Sequence, residues 1–541
     1  MQKLTALLLL AFLCFSCSQR EEVDTIIFNA IIYTVDTEFS KAEAFAVKDG
    51  KFVAVGNTNE ILEKYEATKT IDVAGKAVFP GLIDAHCHFY GLGMNMQSVD
   101  LVGTKSYEDV LAKVEAFQKE KNAPFIVGRG WDQNDWEVQE FPTKERLDEL
   151  FPNTPVALMR VDGHAYLANQ KALDMAGITA ETKIAGGEIQ LKDGKLTGIL
   201  VDNPMDLIDK VIPKPSKKQQ IQALQDAEKA CFAFGLTTIN DAGLDKNVIN
   251  LIDSLQKADA LSMRIYAMIS NTPANVEHYI NKKPYKTDYL NVRSFKVYGD
   301  GALGSRGAVL KESYSDKENH FGAMVINPED LSKLAARIAK TEYQMNTHAI
   351  GDSANYQVLK TYASVLEGQT DRRWKIEHAQ VIDEADFEQF KNKNIIPSVQ
   401  PTHATSDMYW AGERLGDKRL KDAYAYKKLL EISGQVALGT DFPVEDVSTF
   451  KTFYAAVARK DSEQYPKDGF QMENALSREE TLKGMTIWAA YSNFEEAEKG
   501  SIEVGKFADF IVLDKNIMEI PEKEILNTNV TETYLAGKKV N

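Results

Sequence analysis

Cysteine is scarce in this sequence, four in 541 residues, and Cys14 and Cys17 lie near its start. Cys87 and Cys231 alone cannot build a disulfide framework and read as reduced, packed thiols. Basic charge is short as well: 63 Lys and Arg against 79 Asp and Glu give a formal net charge of -16. Neutralising phosphates needs the opposite balance, so nucleic acid is excluded as a partner and the acidic surface serves solubility. No apolar run is long enough to span a bilayer. No G-x-S-x-G elbow occurs, which argues against a nucleophilic serine hydrolase. Repeats and low-complexity segments are missing too. Histidine is rare, eight in all, so where it falls carries information.

The N-terminus reads as an export signal. Lys3 precedes an apolar run from Leu4 to Phe15 that has the length of a signal-peptide hydrophobic region. Ser16 then precedes Cys17, with Leu13 upstream, a pattern that resembles the cleavage and lipidation site of bacterial lipoproteins. Residues 1–16 are therefore expected to be removed, leaving Cys17 as a lipid anchor to a bacterial membrane, on the periplasmic or the outer-membrane, cell-surface side. An ordinary cleaved signal with Cys17 incidental is the alternative.

What remains is long enough, and at 44% hydrophobic apolar enough, for one large barrel with a smaller appended domain. Short β segments fill residues 24–79, with Asp49-Gly50 as a hairpin turn, and matching segments fill 500–541. Neither end holds a core by itself, so the two are expected to pair into one composite β-sandwich. Between them eight strand-like runs alternate with amphipathic stretches: 82–88, 236–241, 264–269, 293–299, 344–350, 374–380, 395–401 and 435–441. Eight such units predict an α/β fold, a (β/α)8 barrel over 80–499. The gap from Phe89 to about Pro215 is too long for one crossover and predicts an α/β insertion at about 90–215.

The uncommon polar residues fall on those strands. His86 and His88 end the first, Lys296 lies in the fourth, His348 near the end of the fifth, His378 in the sixth, and Asp441 closes the eighth. Residues i and i+2 share one face of a strand, so His86 and His88 both point into the barrel while Cys87 faces the helical layer. Imidazole and carboxylate converging at the strand ends of such a barrel suit zinc or a neighbouring first-row metal. His278 and His320 fit no such pattern and read as surface or loop residues.

PGLIDAHCH (80–88) resembles the first-strand signature of the amidohydrolase superfamily, and GSIEVGKFADFIVLD (500–514) its re-entry into the sandwich. KVYGDGALGSRGA (296–308), HAIGD (348–352), IEHAQ (376–380), QPTH (400–403) and LGTDFP (438–443), with GWDQNDW (130–136) and VDGHAYLAN (161–169), resemble its amidohydrolase-3 group, which includes N-substituted formamide deformylases and exoenzyme-regulator-like proteins. The resemblance implies a pair of divalent cations, zinc in the first instance. His86, His88 and Asp441 would hold the first, His348 and His378 the second, and Lys296, carboxylated by CO₂ to a carbamate, would bridge them. Without carboxylation, Lys296 would be a buried ammonium paired with Asp300 or Asp441. The implied reaction is hydrolysis of a non-peptide carbon–nitrogen bond by metal-activated hydroxide, with Asp441 as proton acceptor and then donor. Trp131, His164, Arg306 and His403 stand outside that metal set and would bind substrate or stabilise charge, packing being the alternative for each. N-formyl, N-acyl and cyclic amides all remain open as substrates. So do a single-metal deaminase of the same superfamily and an exported binding or regulatory protein without turnover. A homo-oligomer is compatible with the sequence and not specified by it.

The export reading predicts that Cys17→Ala converts a membrane-partitioning protein into a soluble one. Labelling with a radioactive fatty acid checks it, and absence of label from the natural protein returns Cys17 to the ordinary secreted class.

Overall fold

The computed structural model describes residues 20–160, 163, 165–184 and 187–541. Residues 1–16 and Cys17 of the expected leader, and His164, lie outside them. No described helix is long and apolar enough to cross a membrane.

Eight strands form the central parallel sheet. In chain order they are β1 (Leu82–Cys87), β2 (Leu236–Leu244), β3 (Arg264–Ser270), β4 (Leu290–Tyr298), β5 (Gln344–Ala349), β6 (Trp374–His378), β7 (Ile395–Val399) and β8 (Ala437–Leu438). Neighbours in sequence are neighbours in space throughout. The short β8 returns to β1, where the Asp441 N–H donates to His86 O at 2.8 Å and the His88 N–H to Phe442 O at 2.7 Å. The sheet is thereby nearly closed into the expected (β/α)8 barrel. Crossover helices form for local reasons. In Pro328–Ile338 the Asn327 side chain caps the Asp330 N–H, Pro328 sits in the first turn, and Leu331, Ala335 and Ile338 bury one stripe.

The sandwich draws on both chain ends. One sheet runs Lys51–Gly56, Ala44–Lys48, Glu21–Phe28, Tyr65–Asp72, and the other joins Val530–Leu535 and Phe510–Leu513 to Ala77–Pro80 and Ile31–Tyr33. Phe45, Phe52, Phe510 and Tyr534 fill the space between, Phe510 stacking on Tyr534 at 4.3 Å and meeting Phe45 edge-on at 4.9 Å. Arg264, at the foot of β3, ties barrel to sandwich with a buried two-pronged pair to Asp509 at 2.6 and 3.0 Å.

The segment Tyr90–Ala227 is a compact unit of its own, carried past the expected end near 215 by part of the helix Lys217–Ala233. Its sheet runs Gly187–Lys192, Lys195–Asp202, Ala165–Ala168, Val156–Arg160, Ile126–Trp131, Val99–Asp100 over a core that includes Trp131, Trp136, Leu147 and Leu158.

Candidate metal centre

The ends of β1, β6 and β8 bring imidazoles around one carboxylate. His86 gives Nδ1 to Glu377 Oε2 at 2.6 Å, and Nε2 then lies 3.5 Å from Asp441 Oδ1. His88 Nε2 is 3.2 Å from the same oxygen. His378 is held by Gln400 Oε1, 2.7 Å from its Nδ1, with its ring 4.8 Å from His86 and 4.5 Å from His348. His403 stacks on His378 at 5.8 Å and points Nε2 at Asp441 Oδ2, 3.5 Å away. Two donor triples result, His86–His88–Asp441 and His378–His403–Asp441, each with its donor atoms within 4.8 Å of one another.

Electrostatics keep these groups in their metal-binding forms. Burial, helped by Lys296, pushes His348 down to about 3. Burial likewise lowers His86, and takes His378 well below the ordinary histidine value. These imidazoles are therefore neutral, with a lone pair to give. Burial alone would raise Asp441, but the hydrogen bond from His88 is foremost among the contacts that hold it well below the usual carboxylate range. The Nε2 atoms of His348 and His403 are buried without hydrogen-bond partners. Polar atoms left so are costly, and a nitrogen- and oxygen-seeking cation is what this donor set fits.

A sequence profile for the amidohydrolase family matches residues 69–541. The chain belongs to the amidohydrolase family. It is 31% identical to Protein LONG AFTER FAR-RED 3 of Arabidopsis thaliana, covering 96% of this chain and 91% of that one. It is 32% identical to the putative amidohydrolase YtcJ of Bacillus subtilis over 95% and 98%. With the N-substituted formamide deformylase of Arthrobacter pascens the identity is 26% over 95% and 97%. Among solved structures, an uncharacterized metal-dependent hydrolase from Pyrococcus horikoshii superposes with a TM-score of 0.78 at 26% identity, covering 92% of this chain and 99% of that one.

Within this amidohydrolase the remaining expected residues fall in distinct places. Lys296 is buried in β4 with Nζ 3.2 Å from His86 Nε2. The ion pair to Asp300 or Asp441 that a plain ammonium would form is absent among the described residues: both carboxylates meet histidines instead. Burial lowers the lysine below its ordinary value, against Glu377 and Asp441. His403, expected outside the metal set, lies inside a donor triple because the helix Pro401–Asp407 after β7 turns it back over the barrel mouth. Arg306 is committed to Asp316 by two hydrogen bonds of 3.0 and 2.7 Å. Trp131 is fully buried in the core of its own unit, its indole N–H donating to Leu158 O at 2.8 Å, which is a packing role.

Sequence reasoning missed Glu377, Gln400 and Asp84. Asp84 had a visible signal, two residues before His86 on the same strand face. Glu377 had none, since alternation puts neighbours on opposite faces. The strand breaks that rule here: His378 has φ 75° and Ala379 φ 41°, so two successive side chains reach the centre.

Glu377→Gln should weaken metal affinity about 10–100-fold, the usual effect of losing a carboxylate behind a ligating histidine. Cys87→Ala, whose thiol points away to Asn240 O at 3.4 Å, should leave metal content unchanged. Metal titration followed by elemental analysis reads both.

Proposed function

We propose that the protein is a metal-dependent hydrolase of the carbon–nitrogen bond in an N-substituted formamide or short N-acyl amine, holding two divalent cations, zinc in the first instance. The observation that carries this reading is the gathering of His86, His88, His378 and His403 around Asp441, with the Nε2 atoms of His348 and His403 buried and unpartnered. Similarity to a formamide deformylase over nearly the whole of both chains supports the bond type. His86, His88 and Asp441 would hold one cation, and His378 with His348 the other.

When bound, such a cation lowers the pKa of water from its bulk value toward about 7 and polarises the substrate carbonyl. Asp441, its second oxygen facing His403, takes the proton from the attacking water and returns it to the leaving nitrogen. His403 Nε2 stands ready to meet the carbonyl oxygen as charge develops on it. Lys296, buried and without a direct ion pair among the described residues, is an amine poised to add CO₂. On carboxylation a nitrogen–carbon bond would form, one proton would leave, and the carbamate would supply an anion beside His86. The leader supports an exported enzyme anchored by lipid at Cys17.

Asp441→Asn keeps shape but accepts no proton, so kcat for an N-formyl amine should fall at least about a hundredfold, and metal content should fall less. Lys296→Ala should lose the second equivalent of metal together with activity, and a short carboxylic acid in the assay should restore part of both. Two metals and a near-normal rate in Lys296→Ala would make the lysine structural and leave a single-metal mechanism.

A further inference from the structure

The chain carries 79 acidic against 63 basic side chains, yet one cleft reverses that balance. It has a volume of about 390 Å³, and Lys282, Lys283, Lys340 and Arg372 line it with Glu342 as the one carboxylate. Three crossover segments build it. The first follows the helix Pro273–Tyr279, the second follows the helix Pro328–Ile338 and leads into β5, and the third leads into β6. They hold one another: Arg372 donates to Ala339 O at 3.1 Å and to Tyr343 O at 3.0 Å, and the Tyr343 hydroxyl donates to Lys283 O at 3.2 Å. The cleft lies where β5 and β6 begin, whereas His348 and His378 stand toward the far ends of the same strands. It is separate from the metal centre.

None of the four cations makes an ion pair among the described residues. Lys282 reaches an imidazole instead, 2.8 Å from His278 Nε2. Arg372 spends three of its five N–H groups on Ala339 O, Tyr343 O and Gln369 Oε1, all uncharged acceptors, and the other two find no acceptor among the described residues. Burial, with Arg293 nearby, holds this guanidinium below its ordinary value, as befits a cation without a counter-charge. Arg293 gives no relief: it stacks on Phe494 at 4.0 Å with its Nε buried and unpartnered. A helix C-terminus accounts for Lys340 and for one of the adjacent Lys282 and Lys283. The other lysine and Arg372 keep a charge that nothing answers. Positive charge fixed around a concave surface and left unpaired suits an anion.

We propose that this cleft is a binding site for a phosphate group, with Arg372 supplying fixed donors and Lys282, Lys283 and Lys340 adding charge. Four cations against one carboxylate suit a dianion better than a singly charged carboxylate. Free phosphate and the phosphodiester of a lipid headgroup share this chemistry, and the dianionic form favours the free one. The site is independent of the hydrolytic reading, since it shares no residue with the donor triples.

Phosphorus NMR titration of inorganic phosphate with the zinc-loaded full chain tests it. The natural chain should bind saturably, and added salt should weaken that binding because the lysines are exposed. Lys283→Glu combined with Lys340→Glu reverses two exposed charges and should raise the Kd at least about tenfold. Zinc content, melting temperature and hydrolysis should stay as in the natural chain, which shows that the double variant folds. Glycerophosphoglycerol, the soluble phosphodiester of a lipid headgroup, separates the two sources. Weaker binding than inorganic phosphate assigns the cleft to free phosphate, and tighter binding assigns it to a lipid surface. Phosphate that binds the natural chain and the double variant equally belongs to the metal centre and overturns the cleft, as does a natural chain with no saturable binding of either probe.

Discussion

Asp84 joins the first and last strands of the barrel. It accepts the His86 N–H at 3.1 Å, the Thr440 N–H at 3.1 Å and the Thr440 hydroxyl at 2.7 Å. The ladder between β8 and β1 is otherwise replaced by single bonds from Asp441 and His88. The residues on either side of this seam are the ones the centre requires, His86 and His88 on one strand and Asp441 on the other. Gly439 permits the approach, since a Cβ there would stand 2.5 Å from His86 N. Were the seam to open, Asp441 would leave both imidazoles at once. Closing the barrel and assembling the first donor triple are therefore one event.

The layer beneath supports that assembly. Lys375 and Glu377 share a face of β6; Lys375 donates to Asn493 Oδ1 at 2.8 Å, and Asn493 exchanges hydrogen bonds with Asn240 of β2 at 3.0 and 2.8 Å. Burial pushes Lys375 down to about 8 against the pull of Glu377 and Glu495. Glu377 in turn faces His86, so a line of polar groups runs along the barrel interior and fixes which nitrogen of His86 is free. Buried polar groups of this kind stabilise little in total and specify one arrangement when each is satisfied. The apolar work is done elsewhere, in the sandwich and in the crossover helices packed outside the strands.

Much of this was legible in the sequence because strands obey a period of two. The eight apolar runs matched the eight barrel strands, and His86, His88 and Asp441 stood where strands end. What escaped lies where the chain leaves that period. His403 belongs to a helix turn after β7, so its distance from Asp441 depends on the angle of a turn that no alternation encodes. Glu377 and His378 both face inward through two positive-φ residues, a departure that apolar patterning does not record. Trp131 sat in a motif that resembled a substrate-binding one, yet its burial answers to a second core whose strands come from the insertion. The resemblance named the family correctly. It did not say which oxygen of Asp441 meets which histidine.

The claim on which the account turns is that these imidazoles form a metal centre. Anomalous diffraction at the zinc absorption edge, on crystals of protein loaded with zinc, tests it most directly. The account predicts a strong peak within about 2.0–2.2 Å of His86 Nε2, His88 Nε2 and an oxygen of Asp441, the ordinary range for zinc with nitrogen and oxygen ligands. Zinc-loaded crystals with no peak between those three residues would contradict it.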